Sequence, residues 1–118
     1  MAEFMLLLHE NPSDFAGLSP EQIQKVIQEY TAWGDALRRE ERLVGSAKLK
    51  DEGGRHMTRR EERTRVVDGP YVEAKEVLGG YFTVRAAGYD EAVRIAEGCP
   101  HLKYGGRIEV REVEILEQ

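Results

Sequence analysis

The stretch FMLLL at residues 4–8 decides the fold of this chain. Its five side chains are apolar and do not alternate with polar ones, which is typical of a strand covered on both faces. The stretch therefore predicts a central strand. A large exposed apolar patch is improbable on a small soluble monomer. We expect a second copy of the chain to cover it, in a two-fold homodimer with a cavity between the sheets.

The residues that follow predict a helix, a strand and a hairpin. The sequence SPEQ at residues 19–22 provides an N-cap serine, a proline at the first helical position and a capping-box glutamine. Apolar residues at helical spacing then predict a helix over about 20–42. Residues 43–49 predict a second strand, and the stretches 55–58 and 63–67 can pair as a charged hairpin.

The second half predicts a strand, a helix and a last strand. Residues 79–87 alternate between apolar and semi-polar side chains. Asp90 is the expected cap of a short helix, whose inward side chains would be Ala92, Val93 and Ala96. The stretch 107–116 predicts the last strand, whose apolar parity switches between Val110 and Val113 through a bulge or a change of which face is covered.

The order of these elements matches the β-α-β-β-α-β ferredoxin-like pattern. That pattern is an α+β fold in which two helices cover one face of an antiparallel sheet. A length of 118 residues, 41% of them hydrophobic, suits a single domain over residues 1–118.

Composition argues against several classes of function. The net charge of −5 disfavours a broad phosphate-binding surface, so a nucleic-acid partner is not expected. Cys99 is the only cysteine, and no spacing of His, Cys and carboxylate residues predicts a metal site, so we expect no metal or other cofactor. The apolar run at residues 4–8 is too short for a signal peptide or a membrane span. These features predict a cytoplasmic protein without a membrane partner.

Three segments carry a family resemblance: DGPYVEAKEVLGGY at residues 68–81, YDEAVRIAEGCP at 89–100 and YGGRIEVREV at 104–113. Together they resemble the DGPF branch of the YCII-related family, and the resemblance extends over nearly the whole chain. Tyr71 stands where that family usually has Phe. The resemblance implies a ferredoxin-like dimer of the α/β barrel type.

Some members of the wider family carry a His in the first helix, paired with an Asp. They resemble isomerase-like or lyase-like enzymes that act on small cyclic substrates. That His position falls on Tyr30 here. Because the reference pKa of tyrosine is about 10, Tyr30 is a poor base at neutral pH, and the His–Asp proposal does not transfer intact.

His9 is the best remaining candidate for proton transfer. It ends the first strand, where we expect the mouth of the cavity, and Asp14 follows within loop reach. An Asp partner can orient one tautomer of an imidazole and leave the other nitrogen free to exchange a proton. A hydrogen-bonded boundary histidine is the alternative. His56 and His101 are expected at the surface.

The charged loop after the hairpin is a second candidate region. Asp68, Glu73 and Lys75 would form a charged rim over the cavity, with Asp68 also a candidate catalytic group. A purely structural loop is the alternative, because Gly69 and Pro70 are typical turn residues.

The remaining candidate ligand contacts lie on the first helix and the semi-polar sheet face. Arg85 is a cation that needs either a partner or an anionic ligand when it lies in a cavity. Tyr81 is expected on the same sheet face as Arg85. Tyr30 and Trp33 of the first helix are further candidate ligand contacts. For Trp33, a core or dimer contact is the alternative.

Two functions follow from these patterns. The first is a homodimer that binds a small anionic or cyclic molecule and transfers a proton to or from it. The second is a non-catalytic regulatory or interaction module. The family resemblance includes an association with extracytoplasmic sigma factors in some bacteria, which implies a transcription-linked role with the charged hairpin as the contact surface.

Overall fold

The computed structural model describes residues 1–69 and 76–116 and shows an α+β fold. The strands are β1 (Ala2–Glu10), β2 (Leu43–Lys48), β3 (Arg55–Arg60), β4 (Arg63–Asp68), β5 (Val77–Ala86) and β6 (Arg107–Glu112). The helices are α1 (Pro20–Arg39), α2 (Tyr89–Glu97) and the single turn α3 (Pro100–Lys103), and a 3₁₀ turn spans Pro12–Phe15. Within the described residues, no helix is long and apolar enough to cross a membrane.

The main sheet has four strands in the order β2-β5-β1-β6, and every neighbouring pair is antiparallel. Strands β3 and β4 form a separate two-stranded sheet. The prediction that the first strand is central is confirmed, because β1 pairs with β5 on one side and with β6 on the other.

Helices α1 and α2 lie on one face of this sheet and form the core with it. From β1, Phe4 and Leu6 are fully buried on that face. Leu37 of α1 and Ala92 of α2 pack into the same cluster, together with residues of β5. The opposite face of β1 carries Met5 and Leu7, which the single chain leaves only half-buried.

Helix α1 begins as predicted and ends earlier than predicted. Ser19 accepts a hydrogen bond from the Gln22 backbone, and the Gln22 side chain accepts one from the Ser19 backbone. This reciprocal pair satisfies two N–H groups that the helix itself cannot. The helix stops at Arg39, three residues before the expected end, and the next residues turn through Glu41 at φ 60°.

The predicted cap of α2 is wrong. Gly88 is the N-cap, Asp90 lies inside the first turn, and the Glu91 carboxylate accepts the Ala87 N–H at 3.2 Å. Gly88 has no side chain that could accept a hydrogen bond, so this helix start lacks a side-chain cap. Val93, expected inward, is exposed.

Of the two causes that the sequence left open for the parity switch in the last strand, the bulge is wrong. The register of β6 against β1 runs without interruption from Glu112 opposite Phe4 to Arg107 opposite His9. The parity of apolar residues switches after Val110 because the strand ends at Glu112. A register shift occurs instead between Leu8 and His9, where β1 pairs with β5.

Candidate functional site

A cavity of about 480 Å³ lies between α1 and the sheet. The α1 residues Ile23, Val26 and Ile27 form one wall, and Leu8 and Phe82 of the sheet belong to the other. Ile23 and Ile27 are 39% and 46% exposed, although they lie on the apolar stripe of the helix. This part of the apolar stripe therefore faces an open cavity instead of packing against the sheet.

A chain of hydrogen bonds lies at one end of this cavity. The Tyr30 hydroxyl is 2.7 Å from Nδ1 of His101, and Nε2 of His101 is 2.8 Å from the His9 carbonyl oxygen. A carbonyl oxygen only accepts, so Nε2 carries a proton and donates it. In the neutral imidazole Nδ1 is then the acceptor, and the Tyr30 hydroxyl donates to it.

Local packing holds His101 in this position. The residue is only 2% exposed, although sequence reasoning placed it at the surface. Helix α3 is tied to α1 because Lys103 donates to Glu29 at 3.0 Å and the Tyr104 hydroxyl donates to Glu29 at 2.7 Å. The Tyr104 hydroxyl, followed by Lys103, lowers the pKa of the Glu29 carboxyl.

Gly106 leaves the space that the imidazole ring occupies. A Cβ atom on Gly106 would lie 2.2 Å from Nε2 of His101 and 2.4 Å from Cδ2, which no side chain tolerates. The Gly106 N–H also donates to the His101 carbonyl oxygen at 3.0 Å. A glycine is therefore required at this close approach.

Glu10 brings a carboxyl group to the same cavity. Burial raises the pKa of this carboxyl, and the nearby His101 partly offsets that effect. The Glu10 carboxyl lies directly against the backbone of Gly79, so a Cβ there would collide with it. No residue in the described part of the chain donates a hydrogen bond to the Glu10 carboxylate, which leaves it able to accept one from a ligand.

Two neighbouring groups are kept in their neutral forms. Burial raises the pKa of the Tyr30 hydroxyl, so this group is a hydrogen-bond donor and not an anion at neutral pH. Burial also raises the pKa of the Cys99 thiol to about 11. Because the thiolate is the reactive form of cysteine, Cys99 is a buried and unreactive residue.

His9 lies outside the cavity and is paired with a different acid from the one predicted. Its Nε2 is 2.8 Å from Oε1 of Glu109 on β6. Asp14 instead accepts the Asn11 backbone N–H at 3.1 Å in the 3₁₀ turn. The predicted pairing of His9 with Asp14 is therefore wrong: β1 continues through Glu10, which keeps His9 in the sheet beside its cross-strand neighbours.

The Glu109 carboxylate is a charge centre on the uncovered face of the sheet. The hydrogen bond from His9, and then that from Arg111 at 3.0 Å, lower the pKa of this carboxyl. Glu109 faces the same side as Leu7, its neighbour on β1. Sequence reasoning did not single out Glu109, because nothing local to it indicates which strand it would pair with.

The other predicted contacts are distributed over the molecule. Asp68 is exposed and pairs with Arg55 at 3.0 Å at the base of the hairpin. Arg85 is exposed and donates to the Glu41 carbonyl oxygen at 3.2 Å. Tyr81 lies opposite Leu7 on the uncovered sheet face, and Trp33 packs edge-on against Phe82 at 4.8 Å. Glu73 and Lys75 lie outside the described residues.

Of the predicted contacts that fall within the described residues, Tyr30 alone lines the cavity. Sequence reasoning missed its partners, Glu10 and His101. The available signal for His101 was the Gly105-Gly106 pair four and five residues later, since consecutive glycines mark a close backbone approach. Within the described residues, no three His, Cys, Asp or Glu side chains are grouped to hold a metal ion.

The fold and the cavity define a small α+β protein with a ligand-sized pocket between its long helix and an antiparallel sheet. The family model of the YCII-related domain matches residues 2–117. The chain therefore belongs to the YCII-related domain family. No curated protein matches the chain.

Proposed function

We propose that this protein binds a small, mainly apolar molecule in the cavity beside α1 and transfers a proton to or from it. The observation that carries the proposal is the half-buried Tyr30–His101 hydrogen bond at one end of a mainly apolar cavity. A volume of about 480 Å³ lies within the usual range of ligand pockets, which are lined by apolar side chains with a few polar groups that orient the ligand.

The hydrogen-bond chain supports a proton relay. A proton leaves the bound molecule for Oη of Tyr30, while the Tyr30 hydroxyl proton passes to Nδ1 of His101, which becomes an imidazolium. Return of the proton to a different atom of the molecule completes an isomerisation, and loss of a leaving group from the deprotonated molecule gives a lyase-like outcome. The histidine is the base in this scheme because imidazole is the side chain that most often serves as a general base.

Two neighbours assist the relay. The His9 carbonyl oxygen holds the Nε2 proton, which leaves Nδ1 as the acceptor that faces Tyr30. The Glu10 carboxylate interacts favourably with a positive charge on His101. The same carboxylate can accept a hydrogen bond from a hydroxyl or amine of the ligand.

We further infer that two ferredoxin-like subunits pair into a homodimer of the α/β barrel type. The element order and the strand order β2-β5-β1-β6 support a ferredoxin-like subunit. Met5 and Leu7 are half-exposed on the sheet face that lacks helices. Their exposure supports burial of this face by a second copy of the chain. In this arrangement the ligand cavity lies within each subunit, and the space between sheets is not needed for it.

A binding experiment with matched variants tests the pocket. The fluorescent probe 8-anilinonaphthalene-1-sulfonate is expected to bind the native protein, and Ile27→Trp, which fills the cavity, should abolish the signal. Val93→Trp places the same ring on an exposed site of α2 and should leave binding unchanged. Equal binding by the native protein and Ile27→Trp would remove the support for this pocket.

Proton transfer is tested separately, by deuterium exchange into cyclic carbon acids such as cyclohexanone and γ-butyrolactone followed by NMR. The Tyr30→Phe and His101→Gln variants should lose most of any exchange catalysed by the native protein. Tyr89→Phe, which removes a tyrosine hydroxyl that accepts the Glu112 N–H away from the cavity, is the control. Exchange that persists in both relay variants would contradict the proposed roles.

A further inference from the structure

The side chain of Glu10, the last residue of β1, is placed at the cavity by an irregularity of the sheet. The register between β1 and β5 shifts between Leu8 and His9 and skips Gly79 of β5. The Glu10 carboxyl group occupies the space that a Cβ atom on Gly79 would fill. Because a bulge re-aims the side chains beside it, the register shift and the glycine together hold this carboxylate in the cavity wall.

The charges near Glu10 leave its carboxylate incompletely compensated. Burial raises the pKa of this carboxyl, and the nearby His101 offsets only part of that effect. Lys48 and Asp51 act on the pKa in opposite directions, and Asp14 raises it further. The Lys48 ammonium donates to Asp51 at 3.0 Å, so it is bound elsewhere. A cation that donated directly to Glu10 would offset the cost of burying this charge.

The two cations that line the cavity are each bound to an aspartate of their own. Arg38 donates to Asp35 at 2.8 Å, and Lys48 donates to Asp51 at 3.0 Å. Both pairs are exposed to solvent, which screens their charges. Among the described residues, three acids and two cations line the cavity, so its wall has a formal charge of −1. The unpaired charge is that of the half-buried Glu10, which favours a cationic ligand over an anionic one.

The polar groups around Tyr30 offer acceptors to a ligand. The Tyr30 hydroxyl donates to Nδ1 of His101, and Nε2 of His101 donates to the His9 carbonyl oxygen. Both protons are therefore already used within the chain. The Tyr30 oxygen retains a lone pair, and both Glu10 oxygens can accept. A ligand group that satisfies this end of the cavity must donate, and beside a carboxylate a charged donor binds more strongly than a neutral one.

The rest of the wall suits an apolar body with a cationic group. Phe15, Tyr30 and Phe82 contribute aromatic rings, and Val26 and Ile27 contribute aliphatic side chains. Burial of a hydrocarbon body against these side chains favours binding. The face of an aromatic ring also attracts a cation. The wall thus combines apolar surface with groups that prefer a positive charge.

We propose that the ligand of this cavity is an amine with a cyclic or otherwise apolar body, and that Glu10 binds its ammonium group. The apolar body lies against α1, and the Tyr30 oxygen stays available to accept a proton from the ligand. A neutral alcohol lacks the charge that Glu10 prefers, and a carboxylate is repelled by it. The inference rests on the pocket of the proposed function, specifies the class of molecule that the pocket takes, and is independent of the homodimer.

Binding of three matched compounds to the full chain tests the inference. Cyclohexylmethylamine, cyclohexylmethanol and cyclohexanecarboxylate share one ring and differ in their polar group. NMR titration that follows the backbone amides of Thr31 and Gly80, both in the cavity wall, measures each dissociation constant. The amine should bind at least about tenfold more tightly than the alcohol, because a charged hydrogen bond replaces a neutral one. The carboxylate should bind most weakly.

Variants of the chain assign this preference to Glu10. Glu10→Gln should reduce amine binding at least about tenfold and leave alcohol binding unchanged. Gly79→Ala keeps the charge and displaces the carboxyl group, so it should also weaken amine binding more than alcohol binding. Glu114→Gln removes the same charge from an exposed position outside the cavity and is the matched control. Ile27→Trp should abolish binding of all three compounds.

Each outcome decides the inference. A preference for the amine that Glu10→Gln removes and Glu114→Gln retains supports it. Equal binding of amine and alcohol, tightest binding of the carboxylate, a preference that survives Glu10→Gln, or no binding of the three compounds overturns it. In these cases the pocket itself stands if 8-anilinonaphthalene-1-sulfonate binds the native protein and not Ile27→Trp. Failure of the native protein to bind both the three compounds and this probe overturns the pocket as well.

Discussion

The Tyr30 hydroxyl and Nδ1 of His101 lie 2.7 Å apart, although 71 positions separate the two residues in the sequence. Their contact joins the long helix α1 to the single turn α3, and the His9 carbonyl oxygen ties the same imidazole to the central strand. Three elements thus converge on one titratable ring at the end of an apolar cavity. Such convergence of polar groups in a pocket is typical of functional sites.

Gly106→Ala should displace His101 and weaken the fold. The new Cβ would overlap the imidazole ring, so both hydrogen bonds of His101 are lost or distorted. Overpacking of this kind costs about 1–3 kcal/mol of the free energy of unfolding. Urea denaturation measures the loss. Gly17→Ala, at a position with open space around it, is the control and should be neutral or slightly stabilising. Equal stability of the two variants would contradict the close approach.

Glu10→Gln should stabilise the protein at neutral pH. The pKa of Glu10 is raised by burial, so between its unfolded and folded pKa values the folded state binds more protons, and stability falls as pH rises. At pH values above the folded pKa, the ionised Glu10 carboxylate destabilises the protein by its full amount. Removing the charge should increase the free energy of unfolding at pH 7 by less than about 1 kcal/mol, since the group is partly solvated.

Thermal unfolding at pH 4 and at pH 7 measures this difference. The gain from Glu10→Gln should be present at pH 7 and nearly absent at pH 4, where the native carboxyl is mostly protonated. Glu52→Gln, in an exposed turn, is the matched control and should be neutral at both pH values. A variant of Glu10 that is less stable than the native protein at pH 7 would show that its carboxylate is favourably paired.

His9→Ala should raise the pKa of Glu109 toward its ordinary value. The hydrogen bond from His9 is the largest cause of the lowered pKa, and that from Arg111 is the second. Because the folded pKa is lowered, this carboxylate stabilises the protein above its unfolded pKa, and the contribution is lost as pH falls through the folded pKa. NMR titration of the Glu109 carboxyl carbon measures the pKa of this group. Arg111→Ala should raise the pKa of Glu109 less than His9→Ala does.

Substitution of the turn between β3 and β4 should stabilise this hairpin. Glu61 and Glu62 connect β3 to β4 with φ values of 51° and 64°. A two-residue turn with positive φ at both positions favours Asn-Gly. Glu61→Asn with Glu62→Gly should therefore stabilise the hairpin by about 1–2 kcal/mol. Hydrogen exchange of the backbone amides in the β3–β4 hairpin should slow by about tenfold or more. Glu61→Gln with Glu62→Gln removes the charges but keeps the strain, and should not slow exchange.

Much of the fold was predictable because its signals are local. The unbroken apolar run at residues 4–8 predicted a central strand, and Ser19 with Gln22 predicted the start of α1. The ends of elements were less predictable. The stop at Arg39, the Gly88 cap and the end of β6 at Glu112 lie two to four residues away from the predicted positions.

Most residues of the candidate site could not be predicted from the sequence, because residues that are distant in the sequence meet there. Tyr30 was recognised through a family resemblance, but Glu10 looked like a strand end and His101 like a surface loop residue. His9 pairs with Glu109 because the antiparallel pairing of β1 with β6 places both side chains on one face of the sheet. Asp14 was closer in sequence and remained in its own turn.

The sequence by itself determined which stretches form strands and helices, because apolar periodicity and capping residues act over a few positions. Tertiary structure alone decided which side chains meet at the cavity, since α1, α3 and the end of β1 approach only when the sheet is assembled. Burial, which shifts the pKa values of Glu10 and Tyr30, likewise arises only after packing has removed water from around them.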